Sequence, residues 1–154
     1  MNWSTLLRFR RNVEDLIREQ IALLEWERSQ ECAKQDQLRR DMHEVALALE
    51  RHLRSGVETV FAEQRYRWLD RMGSALEQGV ERLHKMDQQL VELRKKLAKA
   101  YQARRVIELV IAKKEAAVLR DIAKREQRVM EEVGVRRYRA RGRRHLLEPI
   151  ADQE

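Results

Sequence analysis

Apolar residues recur along this chain with the spacing of long α-helices, most clearly in the second half. One set falls every seven residues and contains Leu69, Leu76, Leu83, Leu90 and Leu97. It continues to Ile111 and Val118, with Arg104 as an interruption. The other set, which lies three positions further along, contains Met72, Gly79, Met86, Leu93, Ala100 and Ile107. A stripe that is sustained over so many heptads predicts a coiled coil.

The first part of the chain carries a less regular helical stripe. Its predicted members are Leu6, Val13, Leu16, Leu23, Leu38, Met42, Val45 and Leu49. Between Glu27 and Gln37 the stripe offers only Cys32 and Ala33. Because a coiled coil is held by its apolar seam, we expect loose pairing in that stretch.

Glycine marks the joint between these two stripes. Ser55-Gly56 is the first turn signal, and Thr59 can cap the helix that follows. Gly134 predicts a C-terminal stop. Two long helices that are joined by a short turn pack antiparallel. The fold class predicted is therefore all-α, an antiparallel coiled-coil hairpin.

The predicted boundaries follow from these signals. The hairpin occupies residues 1–135, with helix 1 at about 4–54, the turn at about 55–58 and helix 2 at about 59–133, and residues 136–154 form a basic, flexible tail. Helix 2 exceeds helix 1 by about 25 residues, so its end must extend past helix 1 or pack on a partner. The apolar residues in that end are Ile107, Val110, Ile111, Val118, Leu119 and Ile122.

Aromatic residues cluster soon after the predicted turn. Tyr66 and Trp68 point about 200° apart on a helix, so they and Phe61 cannot all face one seam. We therefore expect at least one exposed aromatic side chain, a feature that favours protein interfaces. Gly73 and Gly79 interrupt the same helix, and they indicate either local bending or the close approach of a partner near the tip, or else tolerated substitution.

Composition narrows the function further. Charged residues form 38% of the 154 residues, which suits a narrow seam better than a globular core. The four histidines are scattered, and no Gly-rich phosphate loop or metal-ligand motif is present in the sequence. We therefore expect no enzyme activity, no cofactor and no metal. The single Cys32 and the lack of a long apolar run favour a cytoplasmic protein.

A run of arginines follows the predicted end of helix 2. Residues 136–144 contain six arginines and Tyr138, within a chain of net charge +7. The run suits docking on an acidic protein face, binding of nucleic-acid or lipid phosphates, or a solubilising tail. One aromatic residue is too little for a base-reading surface, so nucleic acid is not favoured.

Three stretches of the sequence resemble the family of the flagellar export protein FliJ. The first is the apolar and basic opening from Leu7 to Leu16. The second is Ser55-Gly56 with Tyr66-x-x-Leu69 and Leu76-Glu77-x-x-Val80 after it. The third is the closing pattern Arg125 to Val133, followed by Arg136-Arg137-Tyr138. The YscO proteins of virulence type III secretion are similar in size and shape, and the closing pattern favours the flagellar family.

The resemblance implies a stalk comparable to the γ subunit of rotary ATPases. Such a stalk would bind the hexameric flagellar export ATPase through its chain ends, the membrane export gate protein FlhA, and export chaperones. It would lie in the cytoplasm, peripherally on the inner membrane through its partners, with no small-molecule substrate. Implied gate-binding residues are Leu38, Met42, Val45, Leu49, Met72, Leu76, Gly79 and Leu83. Implied ATPase-binding residues are Phe9, Arg10, Arg11, Ile111, Val118, Arg125, Met130, Arg136, Arg137 and Tyr138.

Three alternatives remain open from the residues themselves. The chain can be a generic coiled-coil scaffold that forms a homodimer, or a stalk protein of a virulence type III system. It can also be a helical protein that binds nucleic acid through Arg136–Arg144.

Overall fold

A computed structural model describes residues 2–56 and 58–147, and these form two long helices without a strand among them. Helix α1 spans Trp3–Arg54 and helix α2 spans Thr59–Leu147. The all-α helical hairpin predicted from the sequence is confirmed. By contacts the chain divides into two units, Asn2–Arg104 and the part from Arg105 onward. Val57 of the predicted turn and residues 148–154 of the predicted tail lie outside the described residues.

The ends of α1 are closed by local hydrogen bonds. The backbone N–H of Thr5 donates to the Asn2 side chain at 3.3 Å, which caps the first turn. At the other end the Ser55 backbone N–H donates to the carbonyls of Arg51 and His52. Gly56 then adopts a φ of 83°, a left-handed conformation that favours glycine. This turn reverses the chain where Ser55-Gly56 predicted it.

Within the unit Asn2–Arg104, polar pairs between the helices establish the antiparallel direction. Glu14 of α1 binds Arg104 of α2, Arg28 binds Asp87, and Glu31 binds Arg82. As the residue number rises along α1, the number of its partner falls along α2. This order is that of an antiparallel hairpin.

The predicted stripe on α2 forms its side of the seam. From Leu69 to Arg104 every member of the two heptad sets is buried or half-buried. In the unit from Arg105 onward, Ile107 is buried, Ile111 is half-buried and Val118 is exposed. On α1 the seam positions alternate at spacings of four and three, and they include four charged residues and a glutamine. Its members from Leu7 to Leu49 are Leu7, Arg10, Glu14, Ile17, Ile21, Leu24, Arg28, Glu31, Gln35, Leu38, Met42, Val45 and Leu49.

Part of the stripe predicted for α1 is wrong. The predicted stripe includes Leu16 and Leu23, but each is 59% exposed. The neighbouring face of α1, with Ile17, Ile21 and Leu24, is the one that packs in the seam. Between Glu27 and Gln37, Ala33 is exposed and Cys32 is only half-buried. Polar residues occupy the seam positions of that stretch instead.

The end of α2 also differs from the prediction. The helix continues through Gly134 and Gly142 to Leu147, where the sequence predicted a stop near residue 133 and a tail. Gly in a helix costs only about 1 kcal/mol relative to Ala, and Arg is a strong helix former. Arginines in the last turns also interact favourably with the negative end of the helix dipole.

The two glycines of α2 occupy different environments. A Cβ atom at Gly79 would lie 2.5 Å from Gln35 Nε2 and 3.0 Å from Glu31 Oε1, whereas a Cβ at Gly73 would meet nothing within 4 Å. Gln35 is 4% exposed, so its side chain has little room to move. Gly79 therefore makes space for a polar group of α1, and Gly73 has no such role.

We expect alanine to act in opposite directions at these two glycines. Gly73→Ala should raise the free energy of unfolding by about 0.5–1 kcal/mol, since alanine is the better helix former. Gly79→Ala should lower it, because the added methyl group displaces the Gln35 amide. Chemical denaturation of both variants, followed by far-UV circular dichroism, measures the difference. An equal gain at both positions would contradict the close packing at Gly79.

Candidate partner-binding surfaces

The structure brings the eight predicted gate-binding residues together, but inside the seam. Leu49 and Gly79 are buried, and the other six, Leu38, Met42, Val45, Met72, Leu76 and Leu83, are half-buried. They therefore pack the two helices against each other near the turn. A partner that binds the hairpin near the turn would therefore contact the exposed side chains around these eight seam residues.

Apolar side chains around this end of the hairpin are exposed. Val60 and Tyr66 are 63% and 51% exposed, and Leu53 is also exposed. The prediction of at least one exposed aromatic residue after the turn is confirmed by Tyr66. The same turns of α2 also carry a groove that is lined by Phe61, Gln64, Arg65, Arg67, Trp68, Asp70 and Arg71. We call Leu53, Val60, Tyr66 and this groove the tip surface.

Aromatic rings of the tip surface contact neighbouring guanidinium and imidazole groups. The Arg65 guanidinium carbon lies 5.0 Å from the Phe61 ring centroid, in a cation–π contact. The His52 and Phe61 rings meet edge to face, with centroids 5.6 Å apart. An aromatic platform beside cationic groups is a chemistry that protein interfaces use often.

In the unit from Arg105 onward, every residue from Ala117 to Arg144 is exposed. We call this stretch of α2 the exposed helix. Of the predicted ATPase-binding residues it carries Val118, Arg125, Met130, Arg136, Arg137 and Tyr138, while Ile111 is half-buried. On α1, Phe9 and Arg11 are exposed and Arg10 is half-buried.

The exposed helix combines apolar and basic side chains. Met130 and Tyr138 are 76% and 80% exposed. Residues 105–147 contain thirteen lysines and arginines against six aspartates and glutamates. The whole net charge of the chain thus equals that of this segment, which suits a partner with an acidic face.

The carboxylates of Glu14 and Glu31 lie in the seam and form ion pairs with α2 that were not predicted from the sequence. Arg104 Nε donates to Glu14 Oε2 at 2.5 Å, and Arg82 Nη2 donates to Glu31 Oε1 at 2.9 Å. The hydrogen bond from Arg82 is the main reason that the pKa of Glu31 lies below its ordinary value. The four-and-three spacing that runs from Ile21 through Arg28 and Glu31 was the signal for these seam positions.

The lowered pKa of Glu31 predicts an acid-dependent loss of stability. A carboxyl with a lowered folded pKa stabilises the fold above its ordinary pKa, and this contribution disappears as the pH falls through the folded value. Glu31→Gln should therefore be less stable than wild type at neutral pH, and the difference should vanish in acid. Denaturation at a series of pH values measures it. Glu27→Gln, at an exposed position, is the matched control and should show no such trend.

Neither a membrane span nor a metal cluster is found among the described residues. No helix there is both long and apolar enough to cross a bilayer. Groups of three or more histidines, cysteines and carboxylates that could hold a metal ion are likewise absent from this part of the chain.

Comparison with known proteins supplies the family. The family model described as "Flagellar FliJ protein" matches residues 2–143 of the 154-residue chain. Comparison with curated proteins and with solved structures gave no match. The match includes both helices of the hairpin and most of the exposed helix, and it agrees with the resemblance of the opening, central and closing stretches. The chain therefore belongs to the FliJ family of flagellar proteins.

Proposed function

We propose that this protein is a non-enzymatic stalk of the flagellar type III export apparatus that binds the hexameric export ATPase through the exposed helix. Membership of the FliJ family supports a role in flagellar export. The observation that carries the ATPase assignment is the exposure of every residue from Ala117 to Arg144, among them large apolar side chains. Exposed apolar residues at this density indicate a protein interface.

The charge of this segment supports the same assignment. An acidic partner face would attract the arginines at 136–144, speed the encounter and fix the orientation of the helix. Apolar residues such as Val129 and Met130 would then supply the buried contacts. A stalk of this kind does not hydrolyse ATP. It favours some conformations of the ATPase subunits over others, and in this way links nucleotide turnover to protein export and flagellum assembly.

The tip surface is our proposed site for the export gate protein FlhA. Its exposed members Val60 and Tyr66 lie in the first turns of α2, and the predicted gate-binding residues of that helix begin at Met72. Those seam residues would act by holding the two helices in register under the tip surface. For export chaperones we propose the outer face of α1, where Leu16, Leu23 and Trp26 are exposed. With these partners the protein would work in the cytoplasm, at the inner membrane.

Paired substitutions separate the two main proposed surfaces. The double variant Val129→Ser with Met130→Ser should weaken binding to the export ATPase by about tenfold or more, equal to about 1.4 kcal/mol. Both side chains are exposed, so the fold should be retained. Titration calorimetry with the assembled ATPase measures the affinity, and circular dichroism verifies the helix content.

The matched control changes the tip surface. Val60→Ser with Tyr66→Ser removes two exposed apolar side chains and should leave ATPase affinity unchanged. Deletion of residues 133–154 should in turn weaken ATPase binding more than the tip variant does. If ATPase affinity is the same for wild type, the helix variant and the deletion, the exposed helix is not the ATPase site.

A further inference from the structure

Helix α1 carries a second apolar stripe, on a side that does not pack in the seam. Phe9, Leu16 and Leu23 follow one another at intervals of seven residues and lie within about 40° of each other on a helix. Trp26 stands three positions after Leu23, where a heptad places its next apolar residue. More than half of the surface of each of these four residues is exposed. We call them the outer stripe.

The outer stripe is separate from the seam and has the same repeat. The seam residues Ile17, Ile21 and Leu24 lie on average about 110° around α1 from the outer stripe. A helix with two heptad stripes can pack against two other helices at once. Helix α2 covers the first stripe, and the outer stripe has the spacing that a further helix requires.

Acidic side chains accompany the outer stripe. Glu19 stands at the heptad position between Leu16 and Leu23, and Glu27 stands four residues after Leu23. Both are exposed, and neither has a lysine or arginine three or four positions away with which to form an ion pair along the helix. Residues 12–30 contain five acidic and two basic side chains, although the chain as a whole has a net charge of +7.

These carboxylates restrict the kind of helix that can cover the outer stripe. A docked helix would enclose Glu19 together with Leu16 and Leu23. Enclosing a carboxylate without a cation is strongly unfavourable. A lysine or arginine beside the apolar stripe of the docked helix would form a charge-assisted hydrogen bond with Glu19, and a second one would reach Glu27. An acidic or uncharged helix lacks this compensation.

We propose that the outer stripe binds an amphipathic helix of a partner protein that carries lysine or arginine beside its apolar stripe. The docked helix completes a three-helix bundle with the hairpin. From Phe9 to Trp26 the stripe extends about 26 Å, so the partner contributes about five helical turns. If export chaperones bind this face of α1, the chaperone supplies the helix. That identification rests on the proposed function, whereas the preference for a basic amphipathic helix does not.

A designed peptide and the full-length chain test the proposal. The peptide has about three heptads, with leucine at both seam positions and lysine at the flanking positions. A peptide of the same composition in scrambled order is its control. Fluorescence anisotropy at about 1–100 µM protein should show the heptad peptide binding at least about tenfold more tightly than the scrambled one. Absence of binding, or equal binding of the two peptides, overturns the proposal.

A double variant locates the peptide on the outer stripe. Leu16→Ser with Leu23→Ser should weaken binding of the heptad peptide by about tenfold or more. Both side chains are exposed, so the hairpin should keep its helix content, which circular dichroism verifies. The matched control, Val80→Ser with Val91→Ser, changes two exposed apolar residues of α2 and should bind the peptide as wild type does. Equal affinities for the two double variants would rule out the outer stripe.

A charge reversal tests the role of the carboxylates. Glu19→Lys with Glu27→Lys should weaken binding of the heptad peptide by about tenfold or more, because it places like charges across the contact. An unchanged affinity would show that the outer stripe does not select a basic helix.

Sedimentation velocity and a chaperone titration separate the remaining occupants. Wild type and the Leu16→Ser, Leu23→Ser variant should both sediment at 18.5 kDa. A mass that rises with concentration only in wild type would assign the outer stripe to a second copy and overturn the proposal. An export chaperone that binds both chains equally would contradict the chaperone site in the proposed function, while the peptide affinities would still decide the helix-binding site.

Discussion

Replacing Arg104 by methionine is expected to lower the free energy of unfolding by about 3–5 kcal/mol, because it leaves a buried carboxylate without its cation. Glu14 is 2% exposed, and Arg104 donates to its Oε2 across the seam. The arginine side chain is itself mostly covered and also lies over the Tyr101 ring. The hairpin has a narrow apolar seam, so such a loss would be a large part of its stability.

A double-mutant cycle isolates the ion pair. Glu14→Leu combined with Arg104→Met replaces both charges by apolar groups and should restore most of the lost stability. The matched control is Arg54→Met, which breaks the exposed ion pair with Glu50 and should cost at most about 0.5 kcal/mol. Urea denaturation followed by circular dichroism gives all the values. Similar losses for Arg104→Met and Arg54→Met would mean that burial adds nothing to the Glu14–Arg104 pair.

Leu90→Ala should destabilise the hairpin by about 2–5 kcal/mol, the range for deleting a buried leucine side chain. Leu90 is 4% exposed and belongs to the heptad set of α2. Its neighbour Val91 is 48% exposed, so Val91→Ala is the matched control and should change stability by less than about 0.5 kcal/mol. Thermal and chemical unfolding of both variants measures the contrast. If the two substitutions cost the same, the seam does not run along the heptad set.

The joint and the α2 stripe could be predicted because each depends on local sequence alone. Ser55-Gly56 reverses the chain through a backbone conformation that glycine favours, and leucines at intervals of seven share one helix face. These features do not depend on what lies opposite. The fold class therefore followed from the sequence.

The face of α1 was harder to predict, because its first 24 residues contain two apolar faces. Leu16 and Leu23 are as hydrophobic as Ile17 and Leu24, and only packing against α2 selects the second pair. The face that packs is the one that also carries Glu14, Arg28 and Glu31, and these charged residues pair with partners on α2. A pattern of apolar residues alone does not identify these charged seam positions.

The candidate binding sites stay predictions, and helical periodicity alone does not establish them. Seam residues such as Met42 and Leu76 were named for gate binding, but a helix face that packs inside the molecule has the same periodicity as one that binds a partner. The exposed helix was recognised through its apolar residues without an assigned mate. Its full length was not, because Gly134 resembles a stop although arginine-rich sequence on both sides of Gly142 sustains the helix.

The turn at Ser55–Gly56 also determines the order in which the hairpin can form. Contacts between the end of α1 and the start of α2 close a loop of only a few residues, and each pair further away closes a longer one. Folding should therefore begin at the turn and proceed like a zipper, with Arg28–Asp87 forming before Glu14–Arg104. Opening should run in the reverse sense, so that the first turns of α1 exchange their amide hydrogens faster than those next to Leu49.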